Sequence, residues 1–239
     1  MSFSIVAKKF TVKEFEEYLK TVGKQGWVKR IVLHNTAAPS LAQRKNGVLT
    51  AQHIKNLHNY YQNKGWSGGP HLFIDVEGIW VFNPLDDPGV HSPSYNKSAW
   101  GVEMLGNYES ESFTTGLGAK VAENAKGACA ALAKMQDWVN LQEQRLILHK
   151  EDTATDHNCP GKNVIKSTFI AETDKLISGD KEKPELKIMV NSGSKKTKVV
   201  GGFVREGVTY VPLRALSVAS QGKMVVIHDP ASNTVNVEF

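Results

Sequence analysis

Two short apolar segments that each end in histidine constrain this chain more than any other feature. Residues 28–34 have the sequence Val-Lys-Arg-Ile-Val-Leu-His, and residues 145–149 have the sequence Arg-Leu-Ile-Leu-His. Such short runs of β-branched and apolar residues predict strands. If the two strands are neighbours in one sheet, their ends bring His34 and His149 together. A histidine at a strand end is otherwise a half-buried packing residue, so the segments alone leave both roles open.

Segments of helical periodicity lie between and around these strands. Thr11 followed by Glu14 is a capping-box pattern that predicts the start of the first helix. Residues 71–76 and 79–82 flank Glu77-Gly78 and predict a hairpin. The remaining patterns predict helices near 11–22, 50–63, 120–139 and 163–177 and a strand within 98–107. Alternating strands and helices, with a hairpin, predict an α/β fold in which helices flank a mixed central β-sheet.

The loop that follows the second histidine carries further candidates for chemistry. Cys159 lies ten residues after His149, and His157 lies two residues before Cys159. Two imidazoles and one thiolate suit zinc, and a catalytic zinc site keeps three protein ligands and one open position. His34, His149 and Cys159 could supply those ligands, although the spacing of the last two is not a self-sufficient motif. The other cysteine, Cys129, falls on an apolar helix stripe and is expected to be a buried thiol.

The predicted strand within 98–107 contains one carboxylate, Glu103, among apolar residues. Such a carboxylate pairs with a cation, points outward or takes part in chemistry. Burial would raise its pKa toward the range that is useful for proton transfer. An outward-facing glutamate on an alternating strand is the alternative interpretation.

Composition places the chain among soluble globular proteins of one or two domains. Of its 239 residues 41% are hydrophobic and 22% charged, and no apolar run approaches the roughly 18 residues needed to span a membrane. We therefore expect no membrane insertion. Residues 1–10 lack the pattern of a secretory signal. The absence of a disulfide framework fits synthesis in a reducing cytoplasm.

The C-terminal part of the chain differs from the rest in its predicted secondary structure and in its charge. Residues 181–239 hold nine Lys/Arg and five Asp/Glu, whereas residues 1–180 hold 20 and 19. We expect a first domain over 1–178, a charged linker over 179–184 and a small α+β domain over 185–239. Short β-type segments and one short helix near 213–220 support the α+β prediction. A basic balance favours anionic partners such as nucleic acid, membrane surfaces or wall polymers, or it is simply a lysine-rich soluble face.

Four separated stretches occur in the order found in a known enzyme family: 31–37 (IVLHNTA), 71–78 (HLFIDVEG), 100–107 (WGVEMLGN) and 148–162, which ends in Cys-Pro-Gly-Lys. Through them, residues 26–178 resemble the zinc-dependent N-acetylmuramoyl-L-alanine amidases of the type-2 amidase family, which are related to peptidoglycan recognition proteins. The resemblance implies one zinc ion held by His34, His149 and Cys159. It also implies hydrolysis of the amide between N-acetylmuramic acid and L-alanine in bacterial peptidoglycan by a zinc-activated water.

The same resemblance implies two catalytic residues. Glu103 aligns with the family's strand glutamate, which takes a proton from the water and passes it to the leaving amine. Some members instead use a tyrosine directly before a strand histidine, which is His71 in this chain, but Pro70 occupies that position here. His157 matches a lysine or histidine that stabilises the oxyanion. Substrate contacts or cleft positions are expected from residues on matching loops: Asn35, Thr36, Trp66, His71, His91 and Asn96.

Two other functions remain open at this point. Peptidoglycan recognition proteins of this fold include members that bind without cleaving, although these typically lack the cysteine ligand that Cys159 would supply. A zinc peptidase acting on the stem peptides of the wall would use the same amide chemistry. The two enzymes differ in the amine that they release.

The C-terminal residues resemble the copper amine oxidase N-terminal-like, or stalk, domain that is often appended to bacterial cell-wall enzymes. The resemblance lies in 187–191, in 203–216 and in Asp229-Pro230. A copper-binding histidine cluster is not visible, since His228 is the one histidine there. The basic balance of this region predicts attachment to the wall, through anionic wall polymers, rather than to nucleic acid. We expect a monomer that is made in the bacterial cytoplasm without a signal peptide and acts at the wall after release, as an endolysin does.

Overall fold

The computed structural model describes residues 3–179 and, beyond them, the backbone of the strand segments 186–192, 195–205, 208–210, 225–229 and 234–238. The chain divides into two compact units, Met1–Gly179 and Asp180–Phe239. In the described residues, no helix has the length and apolarity that crossing a bilayer would require.

The first unit is built on a six-stranded mixed sheet with the order β1-β4-β3-β5-β2-β6. Its strands are β1 (Lys8–Phe10), β2 (Arg30–Asn35), β3 (Leu72–Asp75), β4 (Gly78–Val81), β5 (Ala99–Met104) and β6 (Leu146–Leu148). Strands β3, β5, β2 and β6 run parallel to one another. Strand β4 pairs antiparallel with β3, and β1 pairs antiparallel with β4. Parallel strands end at one edge of the sheet, so the loops after β2 and β6 lie together.

Helices complete the predicted α/β architecture of this unit. They are α1 (Val12–Val22), α2 (Ala51–Asn63), α3 (Gly116–Met135), α4 (Gln142–Arg145) and α5 (Lys166–Ile177). Helix α3 packs against α1, α5 and the strands β3, β4 and β5. The capping box at Thr11 and Glu14 is present, with the backbone N–H of Thr11 donating to the Glu14 carboxylate at 2.8 Å.

The two faces of β2 have different surroundings because its side chains alternate. Ile31 and Leu33 belong to the main hydrophobic core. Val32 packs in a separate small cluster with Ala99 and Ile147. His34 shares the parity of Val32, so it leaves the sheet on the face opposite the main core.

Three elements differ most from the sequence-based expectations. Helix α3 begins at Gly116 and ends at Met135, because Asp137 adopts a φ of 54°, in the left-handed region that interrupts a helix. Strand β6 ends at Leu148, and His149 opens a short 3₁₀ turn. Strand β1 was not predicted; its three residues add to the sheet edge along β4.

The second unit contains a five-stranded sheet with the order β10-β11-β7-β8-β9. The strands are β7 (Leu186–Ser192), β8 (Lys195–Arg205), β9 (Val208–Tyr210), β10 (Val225–Asp229) and β11 (Thr234–Glu238). The sequence predicts β-type segments at 186–190, 198–204, 209–212, 224–228 and 234–239, and each of the five strands overlaps one of them. The short helix predicted near 213–220 lies outside the described residues.

Candidate active site

Three possible metal ligands converge at the carboxyl edge of the sheet. The parallel register places Leu33 opposite Leu148, so that His34 and His149 leave adjacent strands side by side. Their ring centroids are 4.4 Å apart. Cys159 reaches the same point from the following loop, with its Sγ 4.0 Å from His34 Nδ1. One ligand atom from each of the three residues lies within 4.8 Å of the other two.

The hydrogen bonds of His91 determine which nitrogen of His34 carries the proton. His91 Nε2 lies 3.1 Å from the carbonyl oxygen of Ala99, which can only accept, so this nitrogen carries the proton. Burial lowers the pKa of His91 to about 3, so the ring is neutral and its Nδ1 is an acceptor. His34 Nε2, 3.1 Å from that Nδ1, therefore donates. The lone pair of His34 Nδ1 is left free toward the thiol.

Burial also keeps the two candidate histidine ligands neutral. It is the main cause that lowers the pKa of His34 well below its usual value, with further contributions from the neighbouring histidines. The pKa of His149 is lowered first by burial and then by His157. A metal ion binds the unprotonated imidazole nitrogen, so both rings are already in the form that binds.

Two features indicate that the residues present fit a zinc ion. His149 Nε2 is buried and has no hydrogen-bond partner among the described residues. An unpartnered buried nitrogen is costly unless a ligand satisfies it. Burial raises the pKa of the Cys159 thiol, while the backbone N–H of Asn35 approaches its Sγ at 3.2 Å and favours the thiolate. Two nitrogens and one sulfur form a donor set that zinc prefers.

Glu103 lies next to this cluster because β5 pairs with β2. The register sets Glu103 directly opposite His34. Its side chain borders the same cleft, and burial raises the pKa of the carboxyl to about 8. The side chain of Glu103 is therefore half-buried at the cleft rather than exposed on an outer face of the sheet.

The cleft above these residues has a volume of about 440 Å³. The predicted contacts Asn35, Thr36, Trp66 and His91 border it. Trp66 is 39% exposed and stacks on Tyr61 at a centroid distance of 5.1 Å. Exposed His157 also borders the cleft, with its ring centroid 4.9 Å from that of His149.

Two of the predicted contacts do not border this cleft. His71 is fully buried, and both ring nitrogens have partners: Nδ1 accepts from the backbone N–H of Gly101 at 3.0 Å, and Nε2 donates to the carbonyl of Asp87 at 2.9 Å. Asn96 Oδ1 accepts from the backbone N–H groups of His91 and Ser92 at 2.8 Å. Asn96 therefore acts on the cleft indirectly, by holding the loop that carries His91.

Other residues around the site were not singled out from the sequence. Tyr61, Asn107 and Glu109 border the cleft. Asp152 joins the two loops below it, because its carboxylate accepts from Ser92 Oγ and Ser94 Oγ, each at 2.5 Å. The sequence signal for Tyr61 was its place on the apolar stripe of a predicted helix. The sequence signal for Asp152 was its position between the candidate ligands His149 and Cys159.

The chain is similar to several solved structures. Among solved structures, the endolysin N-acetylmuramoyl-L-alanine amidase LysCS from Clostridium intestinale URNW is 24% identical over 61% of this chain and 83% of its own, with a TM-score of 0.46. Drosophila PGRP-LB is 19% identical over 65% of this chain and 85% of its own, with a TM-score of 0.48. No curated protein matches the chain.

A family model described as N-acetylmuramoyl-L-alanine amidase, Amidase_2, matches residues 24–162. That range covers more than half of the chain. It contains the three candidate ligands, Glu103 and the loop of His91. The protein therefore belongs to the N-acetylmuramoyl-L-alanine amidase family Amidase_2.

Proposed function

We propose that this protein is a peptidoglycan hydrolase that cleaves the amide bond between N-acetylmuramic acid and L-alanine with the help of one zinc ion. The observation that carries the proposal is the convergence of His34, His149 and Cys159 within 4.8 Å beside the carboxyl of Glu103 in an open cleft. A purely structural cluster would not need the buried His149 Nε2, which has no hydrogen-bond partner in the described part of the chain.

The donor set suits the task assigned to it. Two neutral imidazoles and one thiolate leave a single positive charge on the complex with Zn²⁺. When bound, zinc supplies Lewis acidity toward a water molecule and toward the carbonyl of the scissile amide. The three residues come from one sheet edge and one loop, and all three border the open cleft in which a substrate could approach a bound ion.

Glu103 is the proposed general base and acid. A group whose pKa lies near the working pH can both take and return a proton. Burial brings the pKa of Glu103 to about 8, so its carboxylate accepts a proton from water and its carboxyl then protonates the departing amine of L-alanine. The attacking oxygen forms the new bond to the carbonyl carbon, and the C–N bond breaks with that proton transfer.

His157 is proposed to stabilise the negative charge that develops on the carbonyl oxygen. It lies on the exposed loop before Cys159 and borders the same cleft. An imidazole N–H aimed at that oxygen would act as an oxyanion donor. Replacing His157 by Ala would then lower kcat more than it raises KM.

Mass analysis of digested peptidoglycan, with and without a chelator, tests the proposal. We expect new L-alanine amines and free lactyl carboxyl groups, both lost when zinc is removed. Other new amines would identify a peptidase, and binding without any product would identify a recognition protein. Glu103→Gln should abolish product formation while zinc is retained. Glu123→Gln, which removes an exposed carboxylate on α3, is the matched control.

We also infer that residues 181–239 hold the enzyme on anionic wall polymers, so that it acts at the cell wall. Nine Lys/Arg against five Asp/Glu support an electrostatic attraction. The full chain should sediment with intact walls at low salt and much less with walls stripped of anionic polymers. Equal sedimentation with both preparations would contradict this role.

A further inference from the structure

A second groove of about 430 Å³ adjoins the active-site cleft. Thr36, Tyr61 and Glu103 border both spaces. A substrate bound with its scissile amide at the metal ligands can therefore continue into this groove. The groove lies between the loop after β2 and helix α2.

The charge of this groove comes from Arg44. Its Nη1 donates to the carbonyl of Gln43 at 3.1 Å, whereas its Nε is buried without a hydrogen-bond partner among the described residues. Within that part of the chain, Arg44 also has no carboxylate at ion-pair distance. Partial burial of a guanidinium costs solvation free energy when no anion pairs with it. An anionic ligand would offset that cost.

The other polar residues of the groove leave Arg44 as its cation. His53 is held by the start of α2, because its Nδ1 accepts from the backbone N–H of Thr50 at 3.2 Å. Burial, and then the charge of Arg44, lower the pKa of His53, so the ring is neutral at pH 7. The groove's one lining carboxyl is Glu103, at the part shared with the active-site cleft.

The remaining surface suits a short peptide. Asn56 and Tyr60 provide an amide and a 52% exposed phenol ring, and apolar side chains form much of the rest. These apolar residues are Pro39, Leu49, Leu57 and Phe73. A mainly apolar groove with a few fixed polar groups is typical of ligand sites.

We propose that Arg44 recognises the free α-carboxylate of the second residue of a stem peptide that extends from the cleft into this groove. The inference rests on the proposed amidase function. In peptidoglycan that residue is D-glutamate joined through its γ-carboxyl, so its α-carboxyl is either free or amidated. A guanidinium pairs with a carboxylate through two parallel, charge-assisted hydrogen bonds. A carboxamide presents an N–H₂ group to the same donors and loses the charge.

Two synthetic substrates that differ only at this group test the proposal. They are N-acetylmuramoyl-L-alanyl-D-isoglutamate and the corresponding D-isoglutamine compound. We expect kcat/KM of the unmodified enzyme to favour the acid by about 10-fold to 100-fold, the usual range for a hydrogen bond to a charged group. Arg44→Gln should bring the ratio close to one, and Arg44→Lys should retain part of it. Lys45→Gln, an exposed neighbour outside the groove, should keep the full ratio.

The outcomes separate this inference from the proposed function. Cleavage of both substrates at equal rates by the unmodified enzyme would overturn the role of Arg44 and leave the amidase intact. A preference that survives in Arg44→Gln would do the same. If neither substrate is cleaved, the amidase proposal fails. Calorimetric titration with the two compounds then tests the role of Arg44 by binding alone. Tighter binding of the acid that Arg44→Gln removes supports the inference, and equal binding overturns it.

Discussion

His91 Nδ1 lies 3.1 Å from His34 Nε2, and this contact leaves the other nitrogen of His34 free for a metal ion. The chain of hydrogen bonds starts at the carbonyl of Ala99, whose only possible role is to accept. It passes through a neutral His91 and ends at the lone pair of His34 Nδ1, which faces Cys159. His91 therefore acts as a positioning residue, since it orients a ligand without itself touching the metal.

Replacing His91 by Phe tests this role, because it keeps a ring but removes the acceptor. We expect zinc affinity to fall by about 10-fold to 100-fold, as is usual when the partner of a metal-bound histidine is lost. Competition with a chromophoric chelator measures it. His58→Phe is a control for the loss of a partly buried histidine outside the cleft, where the ring instead contacts the carbonyl of Phe3. Unchanged zinc affinity in His91→Phe would remove His91 from the metal site.

Gly101→Ala should disturb the same contact from below. A Cβ at residue 101 would lie 2.5 Å from His91 Cγ, so the imidazole must move away from His34. We expect a loss of about 1–3 kcal/mol in the free energy of unfolding together with weaker zinc binding. Gly26→Ala is the matched control, because a Cβ there meets nothing within 4 Å. Both are checked by chemical unfolding and chelator competition, and full zinc affinity in Gly101→Ala would contradict the coupling.

Local patterns predicted most of the fold of the first unit. The capping box at Thr11, the hairpin around Glu77-Gly78 and the apolar strand runs all depend on interactions between near neighbours in the sequence. Strand β1 escaped prediction because Lys-Lys-Phe has no pattern of its own and pairs only with the distant β4. The observed bounds of helix α3 differ from the predicted ones because its start and end depend on the positive φ angles of Gly116 and Asp137.

The candidate site was harder to predict where it depends on distant pairs. The sequence and the family resemblance singled out His34, Glu103, His149 and Cys159. The hydrogen bond between His34 and His91 joins residues 57 positions apart. A contact between residues so far apart cannot be predicted from local sequence spacing. His71 was expected near the cleft because of its motif. The structure instead gives both of its nitrogens partners inside the protein.

Thiol labelling should separate the two free cysteines. Cys129 is fully buried on α3, and burial raises its thiol pKa, so it should resist iodoacetamide in the folded protein. Cys159 is partly exposed at the cleft and should react slowly without metal. Saturating zinc should protect Cys159 at least 10-fold if its sulfur is a ligand. Peptide mass mapping reads each site, and zinc-independent labelling of Cys159 would contradict the ligand assignment.

Asp152→Asn should loosen the connection between the two ligand loops. Burial alone would raise the pKa of Asp152, but hydrogen bonds from Ser92 and Ser94 and from two backbone N–H groups bring it to about 2. Removing this charge should cost about 1–3 kcal/mol of folding free energy at pH 7. Since the folded-state pKa is lowered, the stabilisation is complete above about pH 4 and shrinks as the pH falls toward 2. Asp156→Asn, an exposed acid of the same loop, should change stability little.

Glu103→Gln should change how the stability of the metal-free protein depends on pH. Burial raises the pKa of Glu103 from 4.5 to about 8 in the folded state. Between these values the folded protein holds a proton that the unfolded chain has lost, so this group makes stability fall as the pH rises. The glutamine variant lacks that penalty. Its advantage over the unmodified protein should therefore grow from pH 5 to pH 8, by at most about 1.4 kcal/mol per pH unit.

Denaturant unfolding at several pH values measures this advantage, with Glu123→Gln as the exposed control. A difference between Glu103→Gln and the unmodified protein that stays constant from pH 5 to pH 8 would show that the Glu103 carboxyl ionises as in an unfolded chain. Saturating zinc should reduce the pH dependence, because a nearby cation favours the carboxylate over the carboxylic acid. A pH dependence that zinc leaves unaltered would mean that the Glu103 carboxyl is too far from the bound ion to take a proton from a water molecule there.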